Sequence, residues 1–215
     1  MEKSNRWSEE YWWLIMQLYL RKPCGVKPLY NKDAIDLCLK IHVEPEVIHE
    51  KLLSLDASAT PWLKDFRSRY EANPNKLKRA VDKTERMMGF GSAGAFFQDV
   101  ETHETFEKDF RPLPDCEGLT NVMLTLMLDL YFKLTPPTMV AETPEIIDLS
   151  KRLRVKPELT VRVLVTFQYC DPYLNRKNPP RSPLFDACLA VWSRYDGCTP
   201  ETLPSTSADL MEYFR

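Results

Sequence analysis

Four groups of residues in this sequence have types and spacings that could do chemistry. Gly89-Phe90-Gly91-Ser92-Ala93-Gly94 fits G-x-G-x-x-G, which cradles phosphate where it joins a strand to a helix. Here helical spacing leads up to Met88 and no strand precedes the glycines, so a helix C-cap and hinge is the expectation. His42, Glu46, His49 and Glu50 gather imidazoles and carboxylates, donors that suit several divalent ions. Asp36 and Asp148 each stand between Ile and Leu, and two such carboxylates meeting at one site would suit acid-base catalysis. The fourth group is cationic: Lys151, Arg152, Arg154, Lys156 and Arg162, extended by Arg176, Lys177 and Arg181, the residue types that neutralise a phosphate backbone.

The elements that must carry these residues are helices. Apolar residues recur at spacings of three and four, β-branched alternation is almost absent and there are only six glycines, so an all-α fold is expected. A first helix should start at Ser8, with Glu9 and Glu10 in its first turn, and stop before Pro23 and Gly25. Asn31 can cap a second. Pro45, Pro61 and Pro74 each occupy an expected first helical position behind Glu44, Thr60 and Asn73, giving five helices by Met88.

The chain then repeats itself. Offset by 112 positions, Leu14 to Leu52 aligns without a gap to Leu126 to Leu164, with ten identities where chance gives a few. They include Tyr19 with Tyr131, Ile35-Asp36-Leu37 with Ile147-Asp148-Leu149, and Pro45-Glu46 with Pro157-Glu158. Further on, Thr60-Pro61-Trp62-Leu63 faces Asp171-Pro172-Tyr173-Leu174, Arg69-Tyr70 faces Arg194-Tyr195, and Pro74 and Leu77 face Pro200 and Leu203. An insertion of about a dozen residues is expected near 175–182, where Pro179, Pro180 and Pro183 indicate an extended loop. The expected architecture is two diverged copies of a five-helix unit, 1–88 and 119–215, arranged as a pseudo-two-fold pair. Between them 89–118 is an acidic linker whose Phe90, Phe96, Phe97, Phe106 and Phe110 should pack across both lobes. The helices with Tyr11, Trp12, Trp13 and Tyr19 and around Leu124 to Phe132 are apolar nearly all round, which marks buried helices, expected at the contact between lobes.

The same alignment weighs the chemistry. His42 faces Arg154 at a solvent position and His49 faces Val161 at a core edge, so the two imidazoles should diverge, and only His103 remains for a hydrolytic triad. No catalytic set, no metal site and no cofactor is expected. The stretch from Glu145 to Leu159, with Lys151, Arg152, Arg154 and Lys156, resembles a helix-turn-helix unit: a short helix, a tight turn with a buried Val155, and a second helix. That resemblance implies that the second helix enters the DNA major groove. It covers about twenty residues and lacks the turn glycine, and the corresponding segment of copy one carries Glu44, Glu46 and Glu50. Taken whole, the Tyr11-Trp12-Trp13 helix and Thr143-Pro144-Glu145-Ile146-Ile147-Asp148-Leu149 resemble an uncharacterised helical protein family of gut Bacteroidales, a likeness that implies no activity.

Composition sets the remaining bounds. Apolar residues at 44% and charged residues at 28% are those of an ordinary globular protein, and no run approaches the ~20 apolar residues of a membrane span. A net charge of -2 gives no global attraction for nucleic acid or anionic lipid. Met1 to Trp7 holds no apolar run, so a secretory signal is not expected. Cys24, Cys38, Cys116, Cys170, Cys188 and Cys198 form no C-x-x-C pair and should be free thiols of a cytoplasmic protein. The sequence therefore predicts a non-enzymatic interaction or regulatory protein whose two lobes form a groove for a protein partner. A nucleic-acid-binding regulator using the basic edge of copy two is the first alternative, and an enzyme with a site between the lobes is the second.

Overall fold

The structure is a computed structural model that describes residues 7–87, 90 and 106–215. Among these residues it is all-helical and has no strand. The chain divides into two compact units, Met1–His103 and Glu104–Arg215. The first holds α1 (Trp12–Leu20), α2 (Lys32–Ile41), α3 (Pro45–Asp56), α4 (Pro61–Glu71) and α5 (Pro74–Glu85). The second holds the short α6 (Glu107–Phe110), then α7 (Asn121–Lys133), α8 (Pro144–Leu153), α9 (Pro157–Cys170), α10 (Pro183–Tyr195) and α11 (Thr202–Leu210). No helix among the described residues is long and apolar enough to cross a membrane.

Helix starts follow from residue type. Proline's fixed φ suits the first turn, and Pro45, Pro61, Pro74, Pro144, Pro157 and Pro183 each open a helix. Behind two of them a hydroxyl accepts an otherwise orphaned amide, Thr60 from Leu63 and Ser182 from Phe185, both at 3.2 Å. Asn31 caps α2 in the same way, accepting from Asp33. Ser8 does not cap: it precedes a 3-10 turn, Glu9–Tyr11, and its hydroxyl bonds the Glu10 carboxylate instead.

In the first unit α1 packs against all four other helices, which accounts for its apolar character on every side. Leu14, Ile15, Met16 and Leu18 are almost fully buried, and Trp13 Nε1 donates to the Tyr70 hydroxyl of α4 at 2.9 Å. The Tyr19 hydroxyl donates at 2.5 Å to Asp56, the last residue of α3. Arg67 of α4 lies 4.9 Å above the Tyr19 ring and donates to the Asp56 carbonyl at 2.9 Å.

The second unit is built around α7, which packs against α6, α8, α9, α10 and α11. The Tyr131 hydroxyl donates at 2.7 Å to Asp171, the C-cap of α9. Asp129, 8% exposed, accepts from Lys133 Nζ and from Ser207 of α11 through one oxygen. Ser150 and Thr160 share a buried hydroxyl hydrogen bond at 2.7 Å between α8 and α9. Gln168 donates to the Met139 sulfur at 3.1 Å, while its own carbonyl has no partner among the described residues.

Several features recur at the spacing of the internal alignment. α2 and α8 have bounds 112 residues apart, and both end on a non-glycine residue in the left-handed region, His42 at φ 55° and Arg154 at φ 58°. Leu77, Val81 and Thr84 are buried on α5, as are Leu203, Ser207 and Leu210 on α11. No helix starts at Pro172, the alignment partner of Pro61. Asp171 accepts from the Tyr173 amide at 2.8 Å in a turn, and the next helix, α10, begins at Pro183, a proline expected in an extended loop. The inserted residues thus lie between α9 and α10.

Part of the expected 89–118 linker belongs to the units themselves. Phe106 and Phe110 lie in the second unit, where Phe110 meets Tyr213 edge-on at 5.1 Å and Asp109 takes two hydrogen bonds from Arg194, at 2.8 and 2.9 Å. Phe90 lies against Tyr11 in the first. Phe96, Phe97 and the glycines of G-x-G-x-x-G fall outside the described residues.

Two expectations follow. Burial, and then the bond to Asp56, push the Tyr19 phenol up to about 12, and the same causes raise Tyr131 above its ordinary range. The folded state therefore holds these protons longer than the unfolded chain. Their contribution is complete below the ordinary phenol pKa of about 10 and is lost as pH rises through about 12 for Tyr19. Tyr19→Phe and Tyr131→Phe should each lower stability by about 1 kcal/mol at neutral pH in urea unfolding. Each should also flatten the alkaline loss of stability; curves parallel to wild type would contradict the role of the bonds. Gln168→Met should instead raise stability by about 1 kcal/mol, because an unpaired buried carbonyl costs about 1–3 kcal/mol; an equal or lower midpoint would refute this.

Candidate functional site

An aromatic surface of the second unit grows out of the end of α7. Tyr131 is turned inward by its bond to Asp171, so the next residue, Phe132, is left 59% exposed. The helix stops at Lys133, with Leu134 extended and Pro136 and Pro137 in a following 3-10 turn. The indole of Trp192 on α10 lies beside Phe132 at 5.3 Å, meets Tyr131 edge-on at 5.8 Å and reaches Phe167 at 6.4 Å. One turn before Trp192 on the same helix is Leu189, 42% exposed. Phe132, Trp192 and Leu189 thus form an apolar surface resting on a buried aromatic foundation. The cations beside it in sequence are already engaged, Lys133 by Asp129 and Arg194 by Asp109. An exposed ring set against a half-buried indole and held by buried neighbours is a form that anchors to other protein surfaces take.

The eight predicted nucleic-acid residues are all exposed, and they fall into three groups. Arg154, Lys156 and Arg162 line one open depression of about 620 Å³ together with Glu117 and Glu158. Lys151 and Arg152 lie on α8, where Arg152 pairs with Asp148 at 2.9 Å. Arg176, Lys177 and Arg181 lie in the segment before α10, with the Arg176 guanidinium 5.5 Å from the Tyr169 ring. In the segment that resembles a helix-turn-helix unit, α8 and α9 flank a turn at 154–156, in which Val155 is half-buried and not buried as expected. The exposed residues of α9 are Glu158, Arg162 and Val165, and Arg162 is held by Glu117 at 2.6 Å. Carboxylates therefore accompany the cations on this helix.

The remaining candidates are placed as follows. His49 Nδ1 lies 3.0 Å from the Lys27 carbonyl, and His42 is the left-handed C-cap of α2. Among the described residues no group of three or more His, Cys, Asp or Glu could hold a metal ion. Asp36 and Asp148 are exposed and belong to different units, and His103 lies outside the described residues. All six cysteines are free thiols. Burial raises the Cys38 and Cys188 thiols far above their ordinary range and moves Cys170 to about 11, away from the reactive thiolate.

Comparison with known protein families, with curated proteins and with solved structures gives no match for this chain. Its surfaces are therefore interpreted from its own residues. Phe132, Trp192 and Leu189 were not singled out in the sequence, because an all-round apolar helix does not reveal which residue its own end leaves in water. The one available signal is the alignment partner of Phe132, the smaller Leu20.

The left-handed turn gives a test that is independent of binding. A side chain at φ 58° costs about 1–2 kcal/mol that glycine avoids, offset in part by glycine's greater freedom in the unfolded chain. Arg154→Gly should raise stability by about 0.5–1 kcal/mol in urea unfolding, while Arg154→Ala leaves it near wild type. A destabilising glycine would mean that the Arg154 side chain holds the turn.

Proposed function

We propose that this chain is a non-enzymatic binding protein, built from two diverged copies of one helical unit. It engages a protein partner through Phe132, Trp192 and Leu189. The observation that carries this reading is the Phe132–Trp192 pair, 59% exposed at Phe132 and backed by Tyr131 and Phe167. Large rings lose little conformational entropy on binding and carry a disproportionate share of interface energy. The partner surface that fits is apolar, such as the hydrophobic face of an amphipathic helix laid across the two rings. The duplication is supported by the matched bounds of α2 and α8, their left-handed caps, and the Tyr–Asp bond present in each unit.

Affinity purification with wild type and with Phe132→Glu, followed by reconstitution with the purified candidate, tests this reading. Phe132→Glu should keep the fold, since the ring is mostly in solvent, and weaken the reconstituted complex by at least 30-fold, the factor that about 2 kcal/mol of anchor energy represents. Tyr173→Glu, altering a ring 95% exposed on the loop after α9, should leave affinity unchanged. Equal binding by wild type and Phe132→Glu would overturn the proposal.

A further inference from the structure

A stripe of unpaired charge lies in the first unit, on α5. Lys76, Arg79, Lys83 and Arg86 follow one another at intervals of three, four and three residues, with Arg86 the C-cap. At 3.6 residues per turn these positions fall within an arc of about 80° and span about 15 Å of helix axis. All four are exposed, and none forms an ion pair among the described residues. Arg21, Arg67, Arg111, Arg152, Arg162 and Arg194, by contrast, each hold a carboxylate. Arg79, Lys83 and Arg86 line one open depression of about 480 Å³ with Met87 and the half-buried Asp82, and Glu85 is taken by Lys40.

Two bland accounts fall short. Cations at a helix C-terminus complement the helix dipole, but that effect is confined to the last turn, which covers Lys83 and Arg86 and leaves Lys76 and Arg79 unexplained. A solvated polar face would be expected to mix both signs. The whole segment 61–86 is instead biased, with eight Lys and Arg against four Asp and Glu, a net of +4 in a chain whose net charge is -2.

We propose that α5 is a phosphate-backbone contact, its stripe of Lys76, Arg79, Lys83 and Arg86 binding nucleic acid without regard to sequence. A nucleic-acid strand presents one charge about every 3.4 Å of axis, so a 15 Å stripe spans about four phosphates, one for each cation. Cations spaced to match successive phosphates position a strand, and phosphate contacts carry no sequence information. An acidic protein patch has no such regular repeat, and a membrane surface would require an apolar flank along the helix, where only Met87 is available. This site is separate from the Phe132 surface, and either can fail without the other.

The test is fluorescence anisotropy of a labelled 20-base-pair DNA duplex titrated with the full chain at several NaCl concentrations. Four phosphate contacts predict a slope of log affinity against log salt of about -3.6. Lys83→Glu with Arg86→Glu should weaken binding at least tenfold and reduce the slope to about -1.8. Arg152→Glu with Arg154→Glu should change nothing. If the charge reversal disturbs the helix by circular dichroism, the four-fold exchange of the stripe to Gln gives the same readout without repulsion. No binding at 25 mM NaCl, an unaltered slope in the α5 variants, loss of binding through Arg152 and Arg154 instead, or displacement of the duplex by polyglutamate at equal charge would each overturn the proposal.

Discussion

Everything else in each unit depends on one apolar helix being enclosed by its neighbours and fixed near its end by a tyrosine. In α1 the fixing group is Tyr19 on Asp56, and in α7 it is Tyr131 on Asp171. Both hydroxyls leave water only because a carboxylate waits at the far end of another helix. A lone buried phenol would forfeit a hydrogen bond, and a lone half-buried carboxylate would forfeit more. The pairing settles how the central helix is rotated. Rotation in turn decides what emerges at its end: Tyr131 faces in, so Phe132 faces out and meets Trp192.

The two units solve the same packing problem with different side chains. Where α1 and α4 place a guanidinium over the tyrosine, Arg67 on Tyr19, α7 and α10 place an indole against it, Trp192 on Tyr131. The first arrangement leaves a charged surface and the second an apolar one. Cys38 and Ile48 are buried in the first unit at positions whose alignment partners, Ser150 and Thr160, bond each other in the second. The two units thus display different surfaces, a basic stripe on α5 in the first and the exposed Phe132 ring beside Trp192 in the second.

Much of this was legible in the sequence. Proline at a first helical position is a nearly local signal, since its ring fixes φ whatever surrounds it, and the helices at Pro45, Pro61 and Pro74 start where that signal lies, while Pro183, expected in an extended loop, opens a helix as well. Pro172 shows the limit of such signals. Asp171-Pro172 looks like a cap and first residue, yet the Asp171 carboxylate is claimed by Tyr131 from a distant helix and by the Tyr173 amide in a turn. Surfaces were harder to foresee. The cations of 151–181 drew attention by their density, but Arg152 and Arg162 are neutralised by Asp148 and Glu117. On α5 the cations are spread among apolar residues, and only helical geometry gathers them into one stripe.

Hydrogen–deuterium exchange on the intact chain examines the central claim most directly. If α1 and α7 organise their units, amides in 15–19 and 125–131 should be the slowest to exchange in their respective halves, and Tyr19→Phe or Tyr131→Phe should accelerate exchange only in the half that carries the substitution. Faster exchange in α1 and α7 than in the helices around them would contradict the claim.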